Sequence, residues 1–181
     1  MAERLVILSD MWGIKKGLWI TSYLGYLQQY FDIVFYDTQQ LANVDLVKCT
    51  PEKLHEAFTN GGMDTAIAHL LTKEDQPSHY LTFCAGGTVV WNAALKGLPI
   101  KSLYAVSPID LHLEDQKPDC PVRLLFGENE AIIPDEEWAN KLGVSIEVVD
   151  NFGHELYSDE MIIQKVCLQL LDSAINKKFQ L

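Results

Sequence analysis

Short apolar runs alternate with longer stretches of helical spacing along the whole chain. RLVIL (4–8) is rich in branched residues and stops at Ser9-Asp10, and IKKGLWITSYLGYLQQY follows with apolar residues three and four apart, which predicts strand, loop, helix. Five further runs predict strands: FDIVFYD (31–37), SHYLTFC (78–84), IKSLYAV (100–106), PVRLLF (121–126) and VSIEVV (144–149). Most are apolar almost without interruption, the pattern of strands buried on both faces, and six such strands alternating with helices predict a parallel sheet.

The helices carry their own punctuation. Pro134 followed by Asp135, Glu136 and Glu137 places proline at the first helical position with carboxylates in the first turn, and Gly143 closes that helix. Ser158 with Asp159 and Glu160 opens the last helix, whose apolar stripe runs through Ile163, Val166, Cys167, Leu170, Leu171 and Ala174 to an end near Lys177 and Lys178. Between 43 and 73, Thr50-Pro51 starts one helix, Gly61-Gly62 interrupts it and MDTAIAHLLTK continues as another.

Composition adds limits. A chain of 181 residues with 48% hydrophobic and 22% charged residues fits one domain, 1–181, with a sizeable core. Its net charge of -11 argues against a nucleic-acid partner or an anionic membrane surface, because phosphates would be repelled. Cys49, Cys84, Cys120 and Cys167 are scattered, with neither a CxxC pair nor a His/Cys cluster, so a disulfide framework and a metal site are not expected, and the thiols are read as reduced in a cytoplasmic protein. The first apolar run is too short for a signal-peptide core or a membrane span.

Ligands of open α/β sheets bind at the carboxyl ends of the strands. Here those ends carry Asp10, Met11, Trp12 and Gly13 after the first strand, Cys84 after the third, residues 107–110 after the fourth, 127–130 after the fifth and 150–154 after the sixth. A thiol, several carboxylates and the His154 imidazole therefore fall on one rim. Cys84 is followed by Ala85, Gly86 and Gly87, small residues suited to a tight turn from strand into helix.

On these residues the sequence resembles the α/β-hydrolase family. Thr82-Phe83-Cys84-Ala85-Gly86 is similar to the family's Gly-x-Ser-x-Gly nucleophile elbow, GENEAIIP (127–134) to its acid loop and NFGHELY (151–157) to its histidine loop, in the family's order of nucleophile, acid and histidine. The resemblance covers nearly the whole chain. It implies a three-layer α/β/α domain, a mostly parallel six-stranded sheet in the order 2-1-3-4-5-6 and no cap domain, since only fifteen residues, 107–121, separate the fourth and fifth strands.

What the resemblance implies for activity is an esterase, thioesterase or lactonase acting on a small acyl substrate through a Cys84–His154–acid triad, with no cofactor. The acid is Glu130, with Asp110 as second choice, and the oxyanion is held by the Ala85 amide together with that of Met11 or Trp12. The sequence departs from the family pattern at Thr82, where glycine is usual, at Cys84, where serine is usual, and at Ser9-Asp10, where many relatives have His-Gly. A thiol at a helix N-terminus beside an imidazole can still attack a carbonyl, and dienelactone hydrolases use such a set. The departures also motivate an alternative, a catalytically inactive ligand- or protein-binding domain on the same scaffold. A flavodoxin-like or nucleotide-binding domain is the weaker third reading, because SDMWG follows the first strand where a glycine-rich phosphate loop would lie. Substrate identity and oligomeric state stay open.

Overall fold

The computed structural model describes residues 2–47 and 49–176. Six strands form one parallel sheet in the order β2-β1-β3-β4-β5-β6. They are β1 (Glu3–Leu8), β2 (Phe31–Tyr36), β3 (Ser78–Phe83), β4 (Ile100–Val106), β5 (Val122–Gly127) and β6 (Ser145–Val149). The registers keep their carboxyl ends level: Leu8 pairs with both Tyr36 and Thr82, Phe83 with Val106, Val106 with Leu125 and Gly127 with Val149. Residues far apart in sequence thus share one rim.

Among the described residues there are seven α-helices: α1 (Ile20–Leu27), α2 (Thr38–Leu41), α3 (Pro51–Ala57), α4 (Met63–Lys73), α5 (Ala85–Leu95) and α6 (Glu136–Leu142) between strands, and α7 (Glu160–Asn176) after the last. On one face α1 packs against α7, and Trp19, Tyr23, Phe83 and Tyr157 form an aromatic cluster with ring centroids 4.6–5.9 Å apart. On the other, α4 packs against α2 and α5, and Trp91 of α5 meets Trp138 of α6. Every residue of α5 from Ala85 to Trp91 is buried, so its sequence is apolar or small on all sides instead of amphipathic.

Several boundaries differ from the sequence expectation. The cap of α6 is the Asp135 side chain, which accepts from the Trp138 amide at 2.8 Å, so Pro134 lies outside the helix. Asp159, not Ser158, opens α7 by accepting from the Met161 amide at 2.9 Å, while Ser158 closes a 3-10 turn over Leu156–Ser158. An aspartate carboxylate and the free helix amides suit each other better than the neighbouring hydroxyl or proline. Lys177 and Lys178 lie outside the described residues. The α3–α4 break occurs at a wide turn over Phe58–Gly62, where Gly61 has φ 110°.

Between β4 and β5 stands no cap, only a 3-10 turn over Leu111–Leu113 and a loop stapled from beneath. Trp91 Nε1 donates to the Gln116 carbonyl at 3.0 Å and Trp138 Nε1 to the Glu114 carbonyl at 2.8 Å. No helix among the described residues is long and apolar enough to cross a membrane.

Candidate active site

The rim is built around a single-residue turn. β3 ends at Phe83, α5 begins at Ala85, and Cys84 between them turns the chain with φ 49° and ψ −124°. A side chain in that region costs of order 1–3 kcal/mol and persists only where its surroundings hold it. Here the Cys84 amide donates to the Val106 carbonyl and its own carbonyl accepts from the Gly87 amide, both at 3.0 Å. A Cβ on Gly86 would stand 2.6 Å from the Ser9 carbonyl oxygen, and one on Gly87 would stand 2.8 Å from Pro108 Cβ. The two glycines let the start of α5 press against the ends of β1 and β4. Thr82 is accommodated because it lies opposite Gly87, and its hydroxyl is directed to the Tyr104 carbonyl at 3.4 Å.

Glu130 and His154 meet through a second close approach. A Cβ on Gly127 would stand 2.4 Å from the Phe152 carbonyl oxygen and 2.7 Å from that of Gly153, so the histidine loop lies directly on the end of β5. The Asn129 amide donates to the Phe152 carbonyl at 2.8 Å and fixes that contact. Glu130 Oε2 then lies 3.1 Å from His154 Nδ1, while Oε1 accepts from Ser107 Oγ at 2.6 Å and from the Gly127 amide at 2.8 Å. The carboxylate side chain is only 4% exposed and the imidazole 39%.

Burial disfavours the charged form of His154, but hydrogen bonding to Cys84 and to Glu130, reinforced by their charges, outweighs it and raises the imidazole to about 10. Both Cys84 and Glu130 therefore favour the protonated ring, and its placed hydrogen-bond partner is the Glu130 carboxylate, 3.1 Å from Nδ1.

The other candidates separate. Asp110, the second-choice acid, is not the hydrogen-bond partner of His154: its Oδ2 lies 3.6 Å from His55 Nε2. The two share a cavity of about 220 Å³ with Ile109, Ala131, Ile132 and His154, which opens beside the imidazole. Of the proposed oxyanion donors, the Trp12 amide is committed to Asp10 Oδ1 at 3.0 Å. The Met11 and Ala85 amides have no protein acceptor among the described residues. The Trp12 ring lies under Lys16 Nζ at 3.7 Å.

Sequence reasoning missed three participants. Ser107 is fully buried and holds Glu130. Tyr157 donates its hydroxyl to Asp10 Oδ2 at 3.1 Å, across 147 positions of sequence. Asp10 itself is 2% exposed, and burial pushes it up to about 6 against the lowering effect of the Tyr157 and Trp12 hydrogen bonds. Ser107 and Asp10 were visible at strand ends, but nothing local marked their partners.

No protein-family model and no curated protein matches the sequence. Solved structures do match. A protein described as a hydrolase of the alpha/beta superfamily, from Xanthomonas campestris pv. campestris, superposes with a TM-score of 0.68 over 94% of this chain and 99% of its own, at 16% identity. The fold is that of the α/β hydrolases. Alpha/beta hydrolase domain-containing protein 10 from mouse has the same fold, with a TM-score of 0.67 over 96% of this chain and 89% of its own, at 12% identity. Naproxen esterase from Bacillus subtilis follows at 0.58, over 93% and 84%, at 14% identity. Within that fold, Cys84 stands at the turn from β3 into α5 and His154 in the loop after β6.

Proposed function

We propose that the protein is a small hydrolase that cleaves an ester or thioester bond of a compact acyl substrate, with Cys84 as nucleophile. The observation that supports this best is His154, interacting with the sulfur of a strained elbow cysteine on one side and with a buried carboxylate on the other. The neighbours of known name are hydrolases, which supports the reaction class.

In this reading the proton rests on His154 and the Cys84 thiolate attacks the carbonyl carbon. The carbonyl electrons move to oxygen, where the Met11 and Ala85 amides receive the charge. Collapse expels the alcohol or thiol, which takes the His154 proton. His154, again a base, removes a proton from water; the resulting hydroxide equivalent adds to the acyl carbon, and the thiolate leaves. Glu130 stabilises the imidazolium throughout. The cavity beside His154, about 220 Å³, is not lined by Cys84 and is smaller than the ~300–1,000 Å³ of sites for drug-sized ligands, which favours a short leaving group on the His154 side. The unpaired cysteines fit a reducing compartment, and the cytoplasm belongs to this reading.

The test is iodoacetamide labelling with mass spectrometry and turnover across short esters and thioesters. Cys84 should alkylate faster than a peptide thiol, and Cys84→Ala and His154→Ala should each lower turnover about 10³-fold or more. Equal turnover in both variants overturns the mechanism.

One observation favours a second reading, a non-catalytic binding domain: Cys84 is only 1% exposed. Free cysteine is often an inert core residue. That reading expects no turnover on any ester and alkylation of Cys84 no faster than a peptide thiol.

A further inference from the structure

Ser107 is the first residue after β4, and its backbone is in a conformation that its own sequence disfavours. Its φ is 48°, in the left-handed region that glycine, asparagine and aspartate occupy most readily. Pro108 follows, and a residue before proline is steered to extended conformations. The strain is not a frayed strand end, since the Ser107 amide donates to the Leu125 carbonyl at 2.8 Å and the residue is fully buried. What the conformation accomplishes is to direct Oγ sideways onto Glu130 Oε1 at 2.6 Å.

Glu130 needs such a contact. Glutamate carries one more rotatable bond than aspartate, so its carboxylate must be restrained at the near oxygen before the far one can face the imidazole. Two donors restrain Oε1, the Gly127 amide and Ser107 Oγ. The amide belongs to the turn that bears Glu130, whereas the hydroxyl comes from the neighbouring strand end and ties that turn to the sheet.

We propose that Ser107 is a positioning residue: its strained backbone places a hydroxyl that locks the Glu130 carboxylate with Oε2 toward His154 Nδ1. It acts through Glu130 and touches neither the sulfur nor the imidazole. The site it serves is the one read above as hydrolytic, but the primary readout is the imidazole itself.

The experiment is an NMR titration of the His154 ring together with the rate of Cys84 alkylation, in the wild type, Ser107→Gly and Ser107→Ala. Glycine adopts φ 48° without strain, so Ser107→Gly should fold at least as firmly as the wild type, and it keeps the test decisive should Ser107→Ala fold poorly. Despite that, the His154 midpoint should fall by about one pH unit and alkylation should slow about tenfold, the scale of one lost charge-assisted hydrogen bond. In a Glu130→Gln background, adding Ser107→Gly should change neither quantity further. A His154 midpoint unmoved by Ser107→Gly, or an effect of equal size in the Glu130→Gln background, overturns the proposal. If no ester is turned over by the wild type and the midpoint still falls, the hydrolytic reading fails while the role of Ser107 stands.

Discussion

Glu74 and Glu130 are both carboxylates removed from water, with side chains 1% and 4% exposed, but their partners differ in kind. Glu74, at the end of α4, receives the Arg4 guanidinium through both terminal nitrogens and the Tyr36 hydroxyl at 2.6 Å, while Arg4 also reaches Ser78 Oγ at 3.0 Å. Its hydrogen bond to Glu74 raises Arg4 above its already high value, so the guanidinium is a permanent cation. Glu130 instead faces two neutral donors and an imidazole. Asp10 has neutral donors, the Tyr157 hydroxyl and the Trp12 amide, and burial pushes it up to about 6. A permanent cation makes a buried carboxylate a fixture of the fold. A partner that can release its proton makes it part of a reaction.

The contrast can be broken at either end. Arg4→Ala leaves the buried Glu74 without its cation and with only the Tyr36 hydroxyl, and urea denaturation should show a loss of about 3–5 kcal/mol with Cys84 alkylation unchanged in the folded protein. Glu130→Gln should do the reverse, lowering ester turnover about 10³-fold while costing about 1–2 kcal/mol of stability. If instead Arg4→Ala slows alkylation or Glu130→Gln unfolds the protein, the division of roles is wrong.

Two pH experiments sharpen it. Asp10 has a folded value above its ordinary one, so its contribution to stability is complete below about pH 3.8 and is lost as pH rises through about 6. Asp10→Asn lacks that loss, and its stability relative to wild type should improve by about 3 kcal/mol between those limits and then stay level. His154 is also raised, from 6.5 to about 10, so its stabilisation is complete below pH 6.5 and disappears as pH passes about 10. Its partly exposed ring limits the amplitude to about 1 kcal/mol through solvent screening, read as a larger fall in melting temperature for wild type than for His154→Gln. Over the same range the effect of Arg4→Ala should not change.

Sequence and structure agree most where physics is local. Continuous apolar runs identify strands buried on both faces, and level registers bring Cys84, Glu130 and His154 to one rim. The small residues after Cys84 signal the tight turn because backbones leave no room for a Cβ there. The start of α6 lies two residues later than expected and that of α7 one, because the capping oxygens come from Asp135 and Asp159. The Arg4–Glu74 pair spans 70 positions, and Asp10 and Tyr157 span 147; no periodicity records such partners. Glu130 ranked ahead of Asp110 through the resemblance alone, and what separates them in space is that Glu130 faces His154 at 3.1 Å while Asp110, with φ 58°, lies 3.6 Å from His55.

The two indole nitrogens that staple the loop between β4 and β5 have an optical consequence. Trp91 and Trp138 hold the carbonyls of Gln116 and Glu114, so any compound that lifts this strip must first free both rings. Their fluorescence supplies a label-free gauge of loop movement: a ligand that leaves the loop seated should leave their emission maximum in place, and one that pries it open should shift that maximum to the red.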